Sequence, residues 1–316
     1  MDEFQLIRQI QRETSVLVQG VKLGIGDDAA VLEIPAGQHL VAATDTLNAG
    51  THFPVGTLPF DIGYKCLAVN LSDLAAMGAT PHWALLSLSL PQADPDWLRS
   101  FTAGFKSLAQ PCGVALVGGD TTCGPLSICL TALGIIEPGR QLLRSGAQPG
   151  DLIVVSGTVG GAARILDLLQ DDIVASDRHL LDRPCPRVGL GRALVGHASA
   201  CIDISDGLLA DLGHLLKASG CAARLETVAL PAPGVLGDLG DEQRWSYQLV
   251  GGDDYELLFA LPGSQAALLE TWRKELDINL SVIGKIEQGH GIRCIGPDGT
   301  EFHPRRACFE HFGEKS

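Results

Sequence analysis

The sequence predicts a two-part α/β chain with strands and helices mixed along its length. Three observations carry this. The 316 residues suffice for one large domain or two ordinary ones. Short apolar runs of strand length alternate with helical patterns from one end to the other. The stretch 137–150, EPGRQLLRSGAQPG, is punctuated by Pro and Gly at both ends and is the best boundary in the chain. It divides the sequence into residues 1–138 and 139–316. A hydrophobic content of 46% against 19% charged residues marks a globular protein with ample core material.

Net charge is −14. A nucleic-acid surface shows clustered Lys and Arg, and no such cluster stands out, so no nucleic-acid partner is expected. A phosphate ligand would need neutralising by something other than the protein, and divalent cations are the obvious candidate. No apolar run reaches membrane-spanning length, and the N-terminus, MDEFQLIRQIQRE, is charged and amphipathic, unlike a signal peptide. A cytoplasmic protein with no membrane partner is expected. The nine Cys are odd in number and contain no C-x-x-C pair, which argues against a disulfide framework or a structural zinc. Most are expected to be small core residues.

The elements follow in order. Residues 1–20 read as a short amphipathic helix with Phe4, Ile7 and Ile10 on one face. LGIGDDAAVLEI then offers a glycine-rich turn, Asp27-Asp28 and a short strand. The pair is either an ordinary hairpin turn or a cation ligand. His39–Ala43 reads as a strand with Thr44-Asp45-Thr46 at its end and His52 in the following loop. Ile62–Thr80 reads as a buried helix: Leu67, Leu71 and Leu74 recur at i, i+4, i+7, Asp61 is a candidate N-cap and Gly78 a stop. Asn70 and Asp73 interrupt it on one side, and a carboxylate there needs a partner. Residues 83–91 form a strand, and Asp94-Pro95 opens a helix to about Gln110. GVALVGGDTTCGPLSICLTALGII reads as strand, glycine loop (Gly118–Thr122) and strand.

In the second half, DLIVVSGTVGGAARILDLL reads as strand, glycine loop and helix. It matches neither common nucleotide fingerprint, and close helix–strand packing accounts for its glycines. CIDISDGLLADLGHLLKASG places Ser205 as the N-cap of an apolar helix ended by Gly220. Asp203 and Asp206 flank that cap, either to complement the helix dipole or to bring a metal to a phosphate. LVGGDDYELLFAL (249–261) echoes LVGGDTT (116–122), a weak sign of duplicated architecture. A helix from Ser264 to about Leu276 and the strands SVIGKIE and GIRCIG complete the chain.

Aspartate thus recurs beside Gly, Ser or Thr at 27–28, 45, 120, 203/206 and 253–254, with Asp73 from a helix. One shared cluster explains this better than scattered surface acids. Clustered carboxylates raise one another's pKa and stay ionised together only with cations present. Magnesium prefers carboxylate, water and phosphate oxygen, which points to metal-assisted phosphoryl transfer.

GIGDDAAVL, TDTLNAGTHF, NLSDLAAMGAT, VGGDTT, SGAQPGD, DISDGL and GGDDYELLF, in this order and spacing, resemble the thiamine-monophosphate kinase family of the aminoimidazole ribonucleotide synthetase-like superfamily. The resemblance covers nearly the whole chain. It implies an α/β (α+β) two-domain fold: an N-terminal, mostly antiparallel sheet forms the interface of a homodimer and holds ATP and Mg2+, and a C-terminal α/β domain completes the substrate site. It implies ATP-dependent conversion of thiamine monophosphate to thiamine diphosphate with several Mg2+. The implied metal ligands are Asp28, Thr44, Asp45, Asp73, Asp120, Asp203 and Asp206. Nucleotide contacts fall on Gly119, Asp120, Arg144 and Ser205, and substrate contacts on His52, Asp253 and Phe309. Asp73, Asp120 and Arg144 are the implied catalytic residues. Three positions depart from the family's pattern: Asp253 stands where Glu is usual, Ala43 where a hydroxyl is frequent, and Phe309 where Trp or Tyr is frequent.

Rival readings are other enzymes of the superfamily and a non-catalytic nucleotide- or metal-binding regulator. Selenophosphate synthetase needs a reactive N-terminal Cys, whereas the first Cys here is Cys66. The hydrogenase-maturation relative ends in a Cys motif that the tail FGEKS lacks.

Overall fold

The computed structural model describes residues 3–14, 18–171, 173, 176–304, 306 and 308. It divides into two compact units, residues 1–74 with 79–141 and residues 75–78 with 142–316. The first begins with α1 (Glu3–Thr14), β1 (Val21–Leu23), β2 (Val31–Leu32), β3 (His39–Asn48) and α2 (Pro59–Ala76). It continues through β4 (Thr80–Leu90), α3 (Pro95–Cys112), β5 (Ala115–Cys123) and β6 (Ser127–Ile136).

Leu67, Leu71 and Leu74 of α2 are fully buried, as their spacing requires. Asp61 lies inside the helix rather than at its cap, because the helix opens at Pro59, a residue suited to a first turn. Gly78 ends it with a φ of 72°. Asp94 caps α3, its carboxylate accepting the N–H groups of Asp96 and Trp97.

The four-stranded sheet has the order β3-β6-β4-β5, antiparallel except for the parallel pair β4–β5. Leu86, Leu88 and Leu90 are buried, while Leu85 and Ser87, on the alternate positions, are exposed. Two expectations fail here. Thr44-Asp45-Thr46 lies within β3, which continues to Asn48 because all ten of its residues pair with β6. Gly118–Thr122 lies within β5, not in a loop, because those residues pair with β4 from Leu85 to Ser89.

The second unit contains β7 (Leu152–Ser156), α4 (Gly161–Gln170), α5 (His179–Asp182), α6 (Val188–Leu194), β8 (Ala200–Asp203), α7 (Leu208–Ser219) and β9 (Ala222–Glu226). After these come α8 (Asp241–Val250), β10 (Leu257–Leu261), α9 (Leu268–Glu275), β11 (Leu280–Glu287) and β12 (Gly291–Ile295). Its six-stranded sheet has the order β12-β9-β11-β7-β10-β8. Alternate residues feed two separate cores: Ile153, Val155, Ile202 and Leu258 pack into one, Val154, Cys201, Leu257 and Phe259 into the other. Both faces are therefore covered, which is why the central strands read as unbroken apolar runs.

Ser205 does not cap α7. The helix starts at Leu208 with Gly207 in the cap position and no side-chain cap bond. The 116–122 and 249–255 echo is not structural either, since the first segment is strand and the second runs from the end of α8 into a loop. Of the nine cysteines, only Cys66, Cys201, Cys221 and Cys294 are buried, and Cys123 and Cys185 are exposed. No helix among the described residues is long and apolar enough to cross a membrane.

Candidate functional site

A cavity of about 790 Å³ lies in the first unit. Its apolar wall comes from Ile7 and Ile10 of α1, Leu32, Leu86, Leu116 and Val117, and its acidic part from Asp27, Asp28 and Asp120. The 24–30 segment is fastened to α1 by Gln11, whose Nε2 donates to the Ile25 carbonyl at 2.6 Å. Asp27 Oδ1 accepts the N–H of the next residue, Asp28, at 2.9 Å. Gly119 lines the same cavity. A Cβ there would stand 1.8 Å from the Leu86 carbonyl oxygen, so only glycine lets β5 approach β4 this closely.

Asp28, Gly119 and Asp120 are thus brought together, with Asp27 beside them. Asp45 is not. It pairs with Leu130 on β3, the opposite edge of the sheet from β5. Three strand spacings separate them, about 14 Å, whereas Cα atoms of two aspartates on one ion stand at most about 11 Å apart. Asp45 and Asp120 would therefore serve different ions. Thr44 and Asp45, as neighbours in a strand, point to opposite faces. The Thr44 hydroxyl bonds the Leu130 carbonyl at 3.1 Å and the Thr131 hydroxyl at 3.0 Å. Asp73 is half-buried on α2. His52 Nδ1 accepts the Asn48 N–H at 3.0 Å, so the neutral ring carries its proton on Nε2. The buried Lys65 donates to the His52 carbonyl at 3.2 Å.

Among the described residues, no group of three or more His, Cys, Asp or Glu forms a metal-holding cluster by itself. The donor chemistry still fits magnesium. The exposed carboxylates Asp27, Asp28 and Asp120 border one cavity. Magnesium is typically held by one or two carboxylates, waters and a substrate phosphate rather than by a complete protein cage.

The second unit gathers its acids in adjoining loops. Asp203 is buried at the end of β8, and Ser205 and Asp206 are half-buried. The 253–256 loop is stitched alongside: Asp253 N–H donates to the Ser205 carbonyl and Tyr255 N–H to the Ile204 carbonyl, both at 2.8 Å. Asp253 and Tyr255 have φ values of 69° and 51°, a backbone strain typical of functional loops. The Tyr255 hydroxyl donates to Asp253 Oδ1 at 3.2 Å. Arg144 is exposed, and the Ser219 hydroxyl donates to its carbonyl. Phe309 lies outside the described residues.

Three further acids carry structure that sequence reasoning missed. Asp211 Oδ2 accepts the N–H groups of Ser205, Asp206 and Gly207. Burial, helped by the charges of Asp203 and Asp206, pushes its pKa up to about 7 despite those bonds. Asp254 accepts the Gly160 N–H at 2.6 Å, ahead of α4, and desolvation holds its carboxyl well above the usual range. Glu256 is buried and takes Arg187 Nε at 2.6 Å and the Ser156 hydroxyl. Asp211 had a signal, an acid three residues after Leu208 on the buried face of an apolar helix. Arg187 had none, because its partner is 69 residues away.

Comparison with known proteins agrees across the chain. Residues 26–136 match the family model "AIR synthase related protein, N-terminal domain", and residues 148–296 the corresponding C-terminal domain. The chain is 46% identical over 295 residues to the thiamine-monophosphate kinase of Salmonella typhimurium, covering 90% of each. It is 47% identical to the thiamine-monophosphate kinase structure from Stenotrophomonas maltophilia, with a TM-score of 0.88 over 95% of this chain and 97% of that one. AaThiL complexed with AMPPCP and TMP is 30% identical, with a TM-score of 0.76 over 98% and 97% of the two chains. The chain therefore belongs to the thiamine-monophosphate kinase family, among the AIR synthase related proteins.

Proposed function

We propose that this chain transfers the γ-phosphoryl group of ATP to thiamine monophosphate, giving ADP and thiamine diphosphate. The observation that carries this reading is the first unit's cavity. Its volume suits a nucleotide, its apolar wall suits a base, and its acids suit the cations that accompany phosphates. AaThiL, a relative of this chain, takes an ATP analogue and TMP.

Asp28 and Asp120 would hold magnesium at the cavity. Asp45 with the Thr44 backbone, Asp73, Asp203 and Asp206 are assigned as further ligands. Bound magnesium would offset the charge of the two phosphate groups that must meet. Gly119 lets the β5 backbone come close to the nucleotide, Ser205 supplies a further contact, and Arg144 is assigned to the ATP phosphates as a fixed positive charge. His52 offers Nε2–H toward the substrate, Asp253 is assigned to the thiamine cation, and Phe309 to its ring.

The attacking oxygen belongs to the substrate's own phosphate, already anionic near neutral pH, so no side chain has to act as general base. The new P–O bond forms as the bond to the β,γ-bridging oxygen breaks, and the electron pair leaves on ADP. The transfer is direct, without a phosphoenzyme.

A second copy of the chain is assigned to the open face of the four-stranded sheet, where Leu40, Ala42, Thr44, Thr46, Leu85 and Ser87 are exposed. A reducing, cytoplasmic location suits nine free cysteines. The test is an ADP-release assay with and without thiamine monophosphate, with magnesium supplied or chelated. Substrate- and magnesium-dependent release is expected. Nucleotide binding without substrate-dependent release would favour a regulator.

A further inference from the structure

The three successive backbone N–H groups of Ser205, Asp206 and Gly207 converge on one oxygen, Asp211 Oδ2, at 3.0, 3.1 and 3.2 Å. Such a concave run of amides is the backbone arrangement that elsewhere cradles a phosphate. Here an internal carboxylate fills it. Asp211 is only 3% exposed, so bulk water is poorly placed to replace that carboxylate. The turn also depends on Gly207, whose φ is 121° and where a Cβ would stand 2.7 Å from the Val250 carbonyl oxygen.

This goes beyond helix capping. An acid in a first helical turn reaches back to the cap residue's N–H alone. Asp211 instead takes three amides that all precede α7. What it shapes is the turn, and that turn carries Ser205 and Asp206 directly after Asp203. The bond from the Asp253 N–H to the Ser205 carbonyl passes the same shape on to the neighbouring acidic loop.

We propose that Asp211 is a positioning residue, whose carboxylate holds the 205–207 turn in the form that lets Asp203, Ser205 and Asp206 act together as ligands of a cation and a phosphate. The inference rests on the kinase reading for what the turn presents, but not for the shape of the turn. Outer partners that orient metal ligands are worth about 10–100-fold in metal affinity, which sets the effect to expect.

The test uses the full chain with Asp211→Ala and Asp211→Asn. Hydrogen–deuterium exchange of residues 203–208 is read without ligands. The magnesium concentration for half-maximal ADP release is read separately, along with KM and kcat for ATP. Asp211→Ala is expected to speed exchange at 205–207 by about 100-fold or more while the rest of α7 and β8 stays protected. Its magnesium midpoint and its KM for ATP rise by about 10-fold or more. Asp211→Asn keeps a weaker, neutral acceptor oxygen, so exchange and midpoint each rise by only about 3- to 5-fold. Unchanged exchange at 205–207 in the alanine variant overturns the proposal, as does faster exchange with an unmoved magnesium midpoint. If the alanine variant does not fold, the asparagine variant decides: its exchange and midpoint rise together by about 3-fold or more, as expected for a weaker neutral acceptor, and if they do not the proposal fails. A wild-type protein with no thiamine-phosphate-dependent turnover, in which Asp211→Ala still loosens only this turn, refutes the kinase reading and leaves the turn-shaping role standing.

Discussion

Replacing Gly119 with alanine tests the most demanding contact in the first unit. The added Cβ would meet the Leu86 carbonyl oxygen at 1.8 Å and the Leu86 carbonyl carbon at 2.6 Å. An ordinary contact needs about 3.2 Å, so one backbone must move more than about 1 Å. Neither is free to do so, since β4 is hydrogen-bonded to β5 on one side and β6 on the other. Overpacking of this kind costs about 1–3 kcal/mol. The φ of 151° adds about 1–3 kcal/mol for a residue with a side chain. The sum of about 2–6 kcal/mol should lower the melting temperature by about 6–20 °C in a unit this size. Gly118→Ala is the control one residue away. There the nearest atom is the flexible Leu85 Cδ2 at 3.1 Å, so the loss should stay within about 1 kcal/mol. Thermal unfolding by circular dichroism, with ATP-analogue affinity by calorimetry, reads both. A Gly119→Ala protein melting within about 2 °C of wild type, or one no worse than Gly118→Ala, would refute the reasoning.

Three other outcomes are expected. Asp73→Asn abolishes turnover while its circular dichroism and melting temperature stay close to wild type; near-normal activity would remove Asp73 from the metal set. Arg187→Met leaves Glu256 charged and buried without its guanidinium partner, at a cost of about 3–5 kcal/mol, so the chemical midpoint of unfolding should fall clearly. Arg187→Met with Glu256→Leu together should recover part of that loss, and a double variant worse than the single would contradict it. Alkylation at pH 8 followed by peptide mapping labels the exposed Cys123 and Cys185 first and spares Cys66, Cys201 and Cys294. Burial pushes those three thiols up, Cys294 to about 11, so little reactive thiolate forms.

What could be read from the sequence was what short-range periodicity encodes. The Leu67, Leu71, Leu74 stripe located α2, and Asp94 marked the start of α3. What could not be read depended on pairing with distant strands. Thr44 to Thr46 look like a strand end because hydroxyl and carboxylate residues follow an apolar run, but the β6 register carries the strand through them. Gly118-Gly119 look like a loop because glycine usually marks one, yet in β5 they permit close strand approach. The strings LVGGD at 116 and 249 share letters but not surroundings, and surroundings decided that one is strand and the other a helix end. The candidate acids were legible as a set, because Asp beside Gly, Ser or Thr is a local pattern. Their separate duties were not, because Asp254 reaches Gly160 from 94 residues away and Glu256 reaches Arg187 from 69 residues away.

Those separate duties bear on how an anionic chain can take anionic ligands. In the second unit, Asp211, Asp254 and Glu256 are already answered by backbone amides, a hydroxyl or a guanidinium. Their carboxyl groups serve to fix loop shape. In the first unit, Asp28 and Asp120 are exposed at one cavity, where they add to a net charge of −14. Such a cavity repels a nucleotide's phosphates until cations enter with them. Nucleotide affinity should then depend on magnesium far more steeply than on monovalent salt, because screening weakens the repulsion without supplying the missing ligand bridge. Calorimetric titration of an ATP analogue separates the two: binding in 0.5 M potassium chloride with chelator, as tight as binding in magnesium, would mean that the cavity's acids are not the cation site.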